Sequence, residues 1–578
     1  MKRILLIILL AVLSVSLVSG QDTVLNRNVT VEREFQPVIQ SAGKVDQRPA
    51  TLNVTIEPAQ VTYSDYSTVL NPDFNLSSLP SQSTSFRQGT PLHGYLRGAI
   101  GHPHTWFDFT YRVDDHRKSL LDVYAHHRAQ WGRKTNARTK LGFNFTHQFS
   151  SCDLYFGLMG ANRYYTRYGK YYDGDNGLTV SKLGDMADND KVTLWIADVF
   201  IGVKSKPRAD WQYKVQTGYQ VFHRPDKLTQ HTLTTVANVE WNGSSSHHGG
   251  INYLMKNYFF RANPALIADS LYNSRHAFRI EPFYAYHGDR FMLHLGVNLD
   301  FNIGKGSWLS SSDNITFAPS PNIRFEAQLA KEWVTLYGNI LGNHGLCGID
   351  ADLQLNPYYD LGYRLQSHSM SSHTPIDAEL GFHIRPHKHL LMEIHAGYLY
   401  QFGGNTWLAR LNNVAGSGLY MDDYRKFNTD HQRIKVGAAF SYHYQDIVNI
   451  HLWGDYFAWR RMKSDFDGAA GVEPDRVFDR PDWELGLRVD GRIDRNWSLY
   501  SVNHFAGSRW ALVQNVGTLE EHHLKPTIQM DLGCKYEWPE LNLEFFLQLN
   551  NIICRHNDIF FGYQSLGING IAGAAWRF

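Results

Sequence analysis

The stretch Leu293-His294-Leu295-Gly296-Val297-Asn298-Leu299-Asp300-Phe301-Asn302 alternates apolar and polar residues without a break. Successive side chains of a β-strand point to opposite faces, so one face here is wholly apolar. The other carries His294, Asn298, Asp300 and Asn302. The pattern recurs along the chain. Phe107, Phe109, Tyr111 and Val113 alternate with Asp108, Thr110 and Arg112. Ile434, Val436, Ala438, Phe440 and Tyr442 alternate with Lys435, Gly437, Ala439, Ser441 and His443. Trp483 to Val489 alternates with Glu484, Gly486, Arg488 and Asp490, and Ile528 to Tyr536 with Gln529, Asp531, Gly533, Lys535 and Glu537. Read this way, Pro91 to Phe578 predicts about 22 strands.

The connections sort by parity. Short ones follow even-numbered strands: Asp114 to Lys118, Ser150-Ser151, Ser205 to Asp210, His287 to Arg290, Ala330 to Glu332, Pro386 to His389, Gln445 to Ile447, Asp494 to Asn496 and Trp538 to Leu541. Long ones follow odd-numbered strands: Gly169 to Lys191, Ala262 to Ser274, Gly304 to Asn314, His344 to Ile376, Gly403 to His431, Arg461 to Arg480, Ser508 to His522 and Asn557 to Gly567. The first two outer connections, near His102 and Lys134, are short. A soluble sandwich has no reason to sort its loops to one side. A transmembrane antiparallel β-barrel does, with tight turns on the periplasmic side and long loops outside. The expected fold class is therefore all-β, a barrel with an even strand number of roughly 18 to 24. Its apolar face meets lipid and its polar face a lumen. Pro319 and Pro321 interrupt ladder bonding, so the strand from Ile315 to Ala330 is expected to bulge or to start late.

Composition agrees. Mean hydropathy is −0.37, and no run of 18 apolar residues follows the N-terminal twenty, which excludes a helical membrane protein. Aromatic residues make up 14% of the chain, as suits belts at two membrane interfaces. A net charge of +1 implies no nucleic-acid partner. Residues 1–20 read as a secretory signal peptide: Lys2 and Arg3, an apolar run from Ile4 to Leu13, then Val18-Ser19-Gly20. That places the mature chain in the outer membrane of a Gram-negative cell. Residues 21–91 carry six prolines (Pro37, Pro49, Pro58, Pro72, Pro80 and Pro91) and the polar stretch Ser77 to Ser85. They read as an extended periplasmic segment, with Val29 to Val45 as either a docking element for a protein partner or a tether without one. The barrel is expected over 92–578.

Four cysteines, Cys152, Cys347, Cys534 and Cys554, match no metal spacing. Cys534 is expected opposite residues near Phe545, which leaves Cys554 about 30 Å further along. That is far beyond the ~7 Å a disulfide tolerates between Cα atoms. His102 and His104 alternate and would share a face, but no Cys or Asp set accompanies them, so neither a metal nor another cofactor is expected. There is no nucleophile elbow or other catalytic signature, and no enzyme activity is expected.

The closing stretch NLEFFLQLNNIICRHNDIFFGYQSLGINGIAGAAWRF, Asn542 to Phe578, resembles that of TonB-dependent receptors. Asn550-Asn551 before the last loop and an aromatic final residue carry the likeness, and Trp576 and Phe578 are the expected barrel-insertion signal. A family plug is a folded domain larger than residues 21–91 can supply, and no TonB-contact box stands near the N-terminus. The resemblance is thus to plug-less, receptor-like relatives. It implies a receptor or transporter in the outer membrane. A non-conducting scaffold subunit of an envelope complex and a passive porin are the alternatives. The outer loops, rich in Tyr, Trp and Asp as at Tyr420-Met421-Asp422-Asp423-Tyr424, would contact a ligand or surface partner. The candidate lumen-facing residues are His294, Asp300, Arg488, Asp490, Asp531, Lys535 and Glu537. They mix both signs and suit either a polar path or a salt-bridged wall.

Overall fold

The computed structural model describes residues 93–578 apart from 115–117, 133, 170, 174–176, 180–190, 207–210, 226–227, 244–245, 263–273, 305–314, 331–332, 360–370, 415–417, 446, 465–471, 473–474 and 516–517. The signal peptide, the Pro-rich segment and its docking element lie outside the described residues.

Twenty-two antiparallel strands form one wall. Each pairs with its sequence neighbour, and the first, Gly94–His102, pairs with the last, Asn569–Arg577, from Tyr95↔Arg577 to His102↔Gly570. The ring is closed. In hydrocarbon an open edge would leave a row of N–H and C=O groups without partners, so closure is obligatory. Small residues meet in the middle of the seam, at Gly98↔Ala574 and Ala99↔Gly573. A Cβ on Gly101 would land on the Gly570 carbonyl oxygen. At the chain end, Gly94 N donates to Phe578 O (2.6 Å) and Phe578 N to Gly94 O (3.0 Å). The Phe578 ring lies over Gly94, where any Cβ would meet it, and packs on Trp576 and Tyr111 at centroid distances of 4.6 and 6.2 Å.

The two faces separate as period two demands. Leu295 and Val297 are 42% and 46% exposed, while Asn298 and Asp300 between and beyond them are 5% and 2% exposed. Exposed Trp211, Trp241, Trp333, Trp497, Trp538 and Trp576 ring the short-turn end. Trp131, Trp195, Tyr456 and Trp483 stand toward the other end. Such belts mark the two interfaces of a lipid-embedded band. Among the described residues no helix is long and apolar enough to cross a membrane.

The strand carrying Pro319 and Pro321 does not itself start late, since it begins at Ile315; only one of its two ladders does. Strand Ile315–Ala330 pairs with Phe291–Ile303 from Ile315 to Ala327. Its ladder to Val334–Leu346 begins only at Asn322↔Leu341. Residues two apart direct their backbone N to the same side, so both missing donors face the unladdered edge. The Asn298 side chain reaches across and donates to Gly342 O (2.9 Å).

Three expectations about the outer connections are corrected. A third short turn joins Trp211–Arg224 to Leu228–Asn242. The span Gly403 to His431, read as loop, belongs to two long strands, Leu390–Val414 and Gly418–Tyr444. The span Ser508 to His522 is largely a hairpin, Arg509–Asn515 with Thr518–Leu524. Glycine in one case and charged runs in the other disguised strand continuation as loop.

Candidate functional site at the outer mouth

The long connections do not simply project from the barrel. Leu408 to Leu411, above the wall, pair in parallel with Leu512 to Asn515 of the Arg509–Leu524 hairpin. Alternation along these segments then buries both faces. Trp407, Ala409, Leu411, Ala511 and Val513 enter one apolar core. Leu408 and Leu512 enter a second, with Phe478.

The first core crosses the barrel. It takes Tyr165 from the top of the fifth wall strand, Val192 and Leu194 from the sixth, Phe222 from the seventh and Leu228 from the eighth. Trp407 and Tyr424 come from the fifteenth and sixteenth. In a ring of twenty-two, strands ten or eleven apart face each other. Between them lie Ile349 and Leu353 of the short helix Ile349–Leu355, then Tyr358, Phe560, Phe561 and Tyr563. Tyr358 and Tyr563 stack at 3.5 Å with their planes 16° apart. Tyr168 meets Tyr563 edge-on at 5.2 Å.

Hydrogen bonds key the loops to one another. Tyr165 OH donates to Pro357 O (2.7 Å), Tyr424 OH to Phe561 O (2.6 Å) and Tyr168 OH to Gln564 O (3.0 Å). Lys134 Nζ donates to Gln564 O and Ser565 O (2.9 and 2.8 Å). Gln230 holds the helix start: its Oε1 accepts from Ile349 N and its Nε2 donates to Asp350, both at 2.7 Å. Lys426 Nζ grips both oxygens of Asp352 at 2.9 and 2.8 Å, with each side chain 4% exposed. Burial pushes the Asp352 carboxyl up, and the Lys426 ammonium pulls it back. Burial likewise pushes the Tyr168 hydroxyl up to about 12, so it stays a donor. Asp479, at φ 61, takes its N–H to Trp510 O (2.8 Å). Burial pushes its carboxyl up to about 7, opposed by Arg509, Arg480 and the Trp407 N–H.

The seven lumen-facing candidates are not gathered into one site. His294 hydrogen-bonds with Glu281 (3.2 Å) and stacks on Phe283. Asp300 accepts from Arg279 (2.7 and 3.1 Å) and from His344 N (3.0 Å). Arg488 donates to Asp490 on its own strand (2.8 and 3.0 Å). Asp531 accepts from Asn551 N (2.8 Å) and Gln529 (3.0 Å). Lys535 pairs with Glu544 at 3.1 Å. Glu537 is half-buried, its backbone N bonded to Asn496 O. Trp576 is exposed, and Phe578 packs across the seam.

Other expectations change. His102 and His104 do not share a face: Pro103 separates them onto two strands, and His104 is bonded to Asn569 (2.9 Å). Cys534 lies opposite Leu547, two residues from the expected partner. Asp423 and Tyr424, proposed for ligand contact, hold Arg410 and Phe561 instead. Asn551, read only as a family mark, anchors the last loop through Arg555 O and Leu566 O. The mouth residues Lys426, Asp352, Tyr358 and Tyr563 were missed. The apolar run Ile559-Phe560-Phe561 inside a supposed outer loop was the available signal.

No family model and no curated protein matches the chain. Solved structures do. The FrpB iron transporter of Neisseria meningitidis has a TM-score of 0.64 at 8% identity, covering 85% of this chain and 82% of that one. The siderophore receptor PirA of Acinetobacter baumannii gives 0.62 at 10%, over 86% and 81%. The ferric enterobactin receptor PfeA of Pseudomonas aeruginosa, as a mutant, gives 0.59 at 13%, over 86% and 81%. At such identities the likeness is one of fold. The chain shares with these receptors and this transporter the fold of a closed 22-stranded antiparallel β-barrel.

Proposed function

We propose that the protein is an outer-membrane receptor that passes its solute through a mouth its own loops keep shut. The observation that carries this reading is the apolar core shared by opposite sides of the rim. Solute cannot diffuse steadily through a packed core, so the passive-porin alternative is disfavoured. The fold shared with an iron transporter and siderophore receptors supports the same class. Below the mouth, His294, Asp300, Arg488, Asp490, Asp531, Lys535 and Glu537 are assigned to a hydrated inner wall. Paired charges there would let a polar solute slide without a deep binding well. The aromatic and polar outer loops are assigned to ligand or surface-protein contact.

A permanently sealed scaffold would share the closed mouth, and uptake separates the two. In planar bilayers the purified protein should pass no steady current. Cells lacking it should lose energy-dependent uptake of at least one solute in a panel that includes ferric chelates. A steady ohmic current would return the porin. Unchanged uptake of the whole panel would return the scaffold.

A further inference from the structure

The elements of the mouth are not equally tied to the wall. Strand Ser371–His387 pairs with Leu390–Val414 only as far as His373↔Phe402. Strand Val448–Ser464 pairs with Gly418–Tyr444 only as far as Thr429↔Ser464. Above that level the arms Gly404–Leu411 and Asp423–Thr429 pair with each other and, Thr429 at the base apart, have no ladder to a wall strand among the described residues. The arms break register with each other between Gln401↔His431 and Gly404↔Thr429, and at the same height the wall strand Val448–Ser464 bulges at Met462, between Arg461↔His431 and Lys463↔Asp430. Gly403 there has φ 62, and its N–H is held by Asp430 Oδ1 (2.8 Å). Gly404 lies against the His431 ring, where a Cβ would intrude. Two bulges and a left-handed glycine at one level make a hinge.

Beyond the hinge, most of what holds the arms is apolar contact and neutral hydrogen bonding. A buried ionic grip from the arms to a loop rooted on other strands is Lys426–Asp352. Asp352 lies on the helix that Gln230 fastens to the eighth wall strand, seven strands round the ring from the nearer arm. A buried ion pair responds asymmetrically. Removing one partner leaves a charge that its surroundings cannot solvate, whereas removing both is tolerated.

We infer that the arms Gly404–Leu411 and Asp423–Thr429 form a hinged tongue, latched across the mouth by the Lys426–Asp352 ion pair. The inference rests on the receptor reading: the tongue is the part that moves when the mouth admits solute.

The test reads access to the lumen from outside. Val236 has the inward parity of its strand and is 42% exposed. It becomes Val236→Cys in a Cys554→Ser chain, and intact cells are treated with a membrane-impermeant maleimide. The parent should label slowly. Lys426→Met should label about tenfold faster or more, as expected when a buried charge loses its partner. Lys426→Met with Asp352→Leu should return to the slow rate. Leu408→Cys with Leu512→Cys, Cα partners in the parallel ladder, should on oxidation hold Lys426→Met closed. Heat-modifiable migration confirms that each variant is a folded barrel.

Slow labelling of Lys426→Met would overturn the latch, and fast labelling of the double variant would too. Fast labelling of the cross-linked chain would overturn the tongue as the moving part. Fast labelling of the parent itself would overturn the receptor reading, and it would be seen before any latch variant is made.

Discussion

Strand Gly418–Tyr444 behaves in two ways along its length. From Arg433 to Ala438 it alternates, with Ile434 and Val436 more than half exposed and Arg433 and Lys435 buried. From Asp423 to Lys426 every residue is buried. The lower part has lipid on one side and a polar interior on the other. The upper part has protein on both. One strand therefore obeys the rule of a membrane wall below the hinge and the rule of a globular core above it. Stability of the ring and closure of the mouth should accordingly answer to different substitutions.

The sharpest way to break that separation is in the wall. Leu295→Arg should cost about 2–4 kcal/mol in folding to lipid vesicles. His294→Arg, one residue away on the polar face beside Glu281, should be nearly neutral. Equal costs would mean the two faces are not what they seem. At the seam, Gly101→Val should cost ~1–3 kcal/mol by overpacking against backbone, read as a lower folded fraction on heat-modifiable gels. Unaltered folding would show that the two end strands can separate to admit a side chain.

Mouth substitutions should spare the ring. Tyr424→Phe leaves the Phe561 carbonyl without its donor, a loss of about 1 kcal/mol. It should speed protease cleavage of the outer loops while global unfolding stays unchanged. A matching drop in ring stability would couple the two regions. Closure should also respond to pH. Asp479 in the closed mouth has a carboxyl raised to about 7, so the closed form binds a proton that the open form releases. Closure should be tightest in acid, weaken as pH rises from the ordinary carboxylate range to about 7, and level off above. Asp479→Asn should flatten the profile of loop proteolysis between pH 5 and 8. A wild-type profile already flat would remove Asp479 from the mouth's energetics.

The same division explains what could be read from sequence. The wall was legible because lipid imposes period two and topology imposes loop parity, and neither needs knowledge of distant partners. Pro319 and Pro321 marked a disturbed strand, but that the disturbance falls on one ladder and not on the strand's start depends on which neighbour each missing N–H faces. The mouth was not legible. In Trp407-Leu408-Ala409 burial on both faces erases alternation, and the partners that bury it, Leu512 and Phe478, lie far away in the chain. Apolar runs such as Ile559-Phe560-Phe561 show only that something is buried, not against what. Lys426 and Asp352 look like ordinary surface charges until the fold removes their water.

The core across the rim also fixes an order of assembly. Tyr563 and Phe560 belong to the last outer connection, and their neighbours in the core begin at Tyr165. Contacts of such sequence separation form late. A chain still lacking its final hairpin therefore has neither a closed ring nor a stopper, and quality control that judges a finished barrel by its sealed top would be inspecting the work of its last thirty residues.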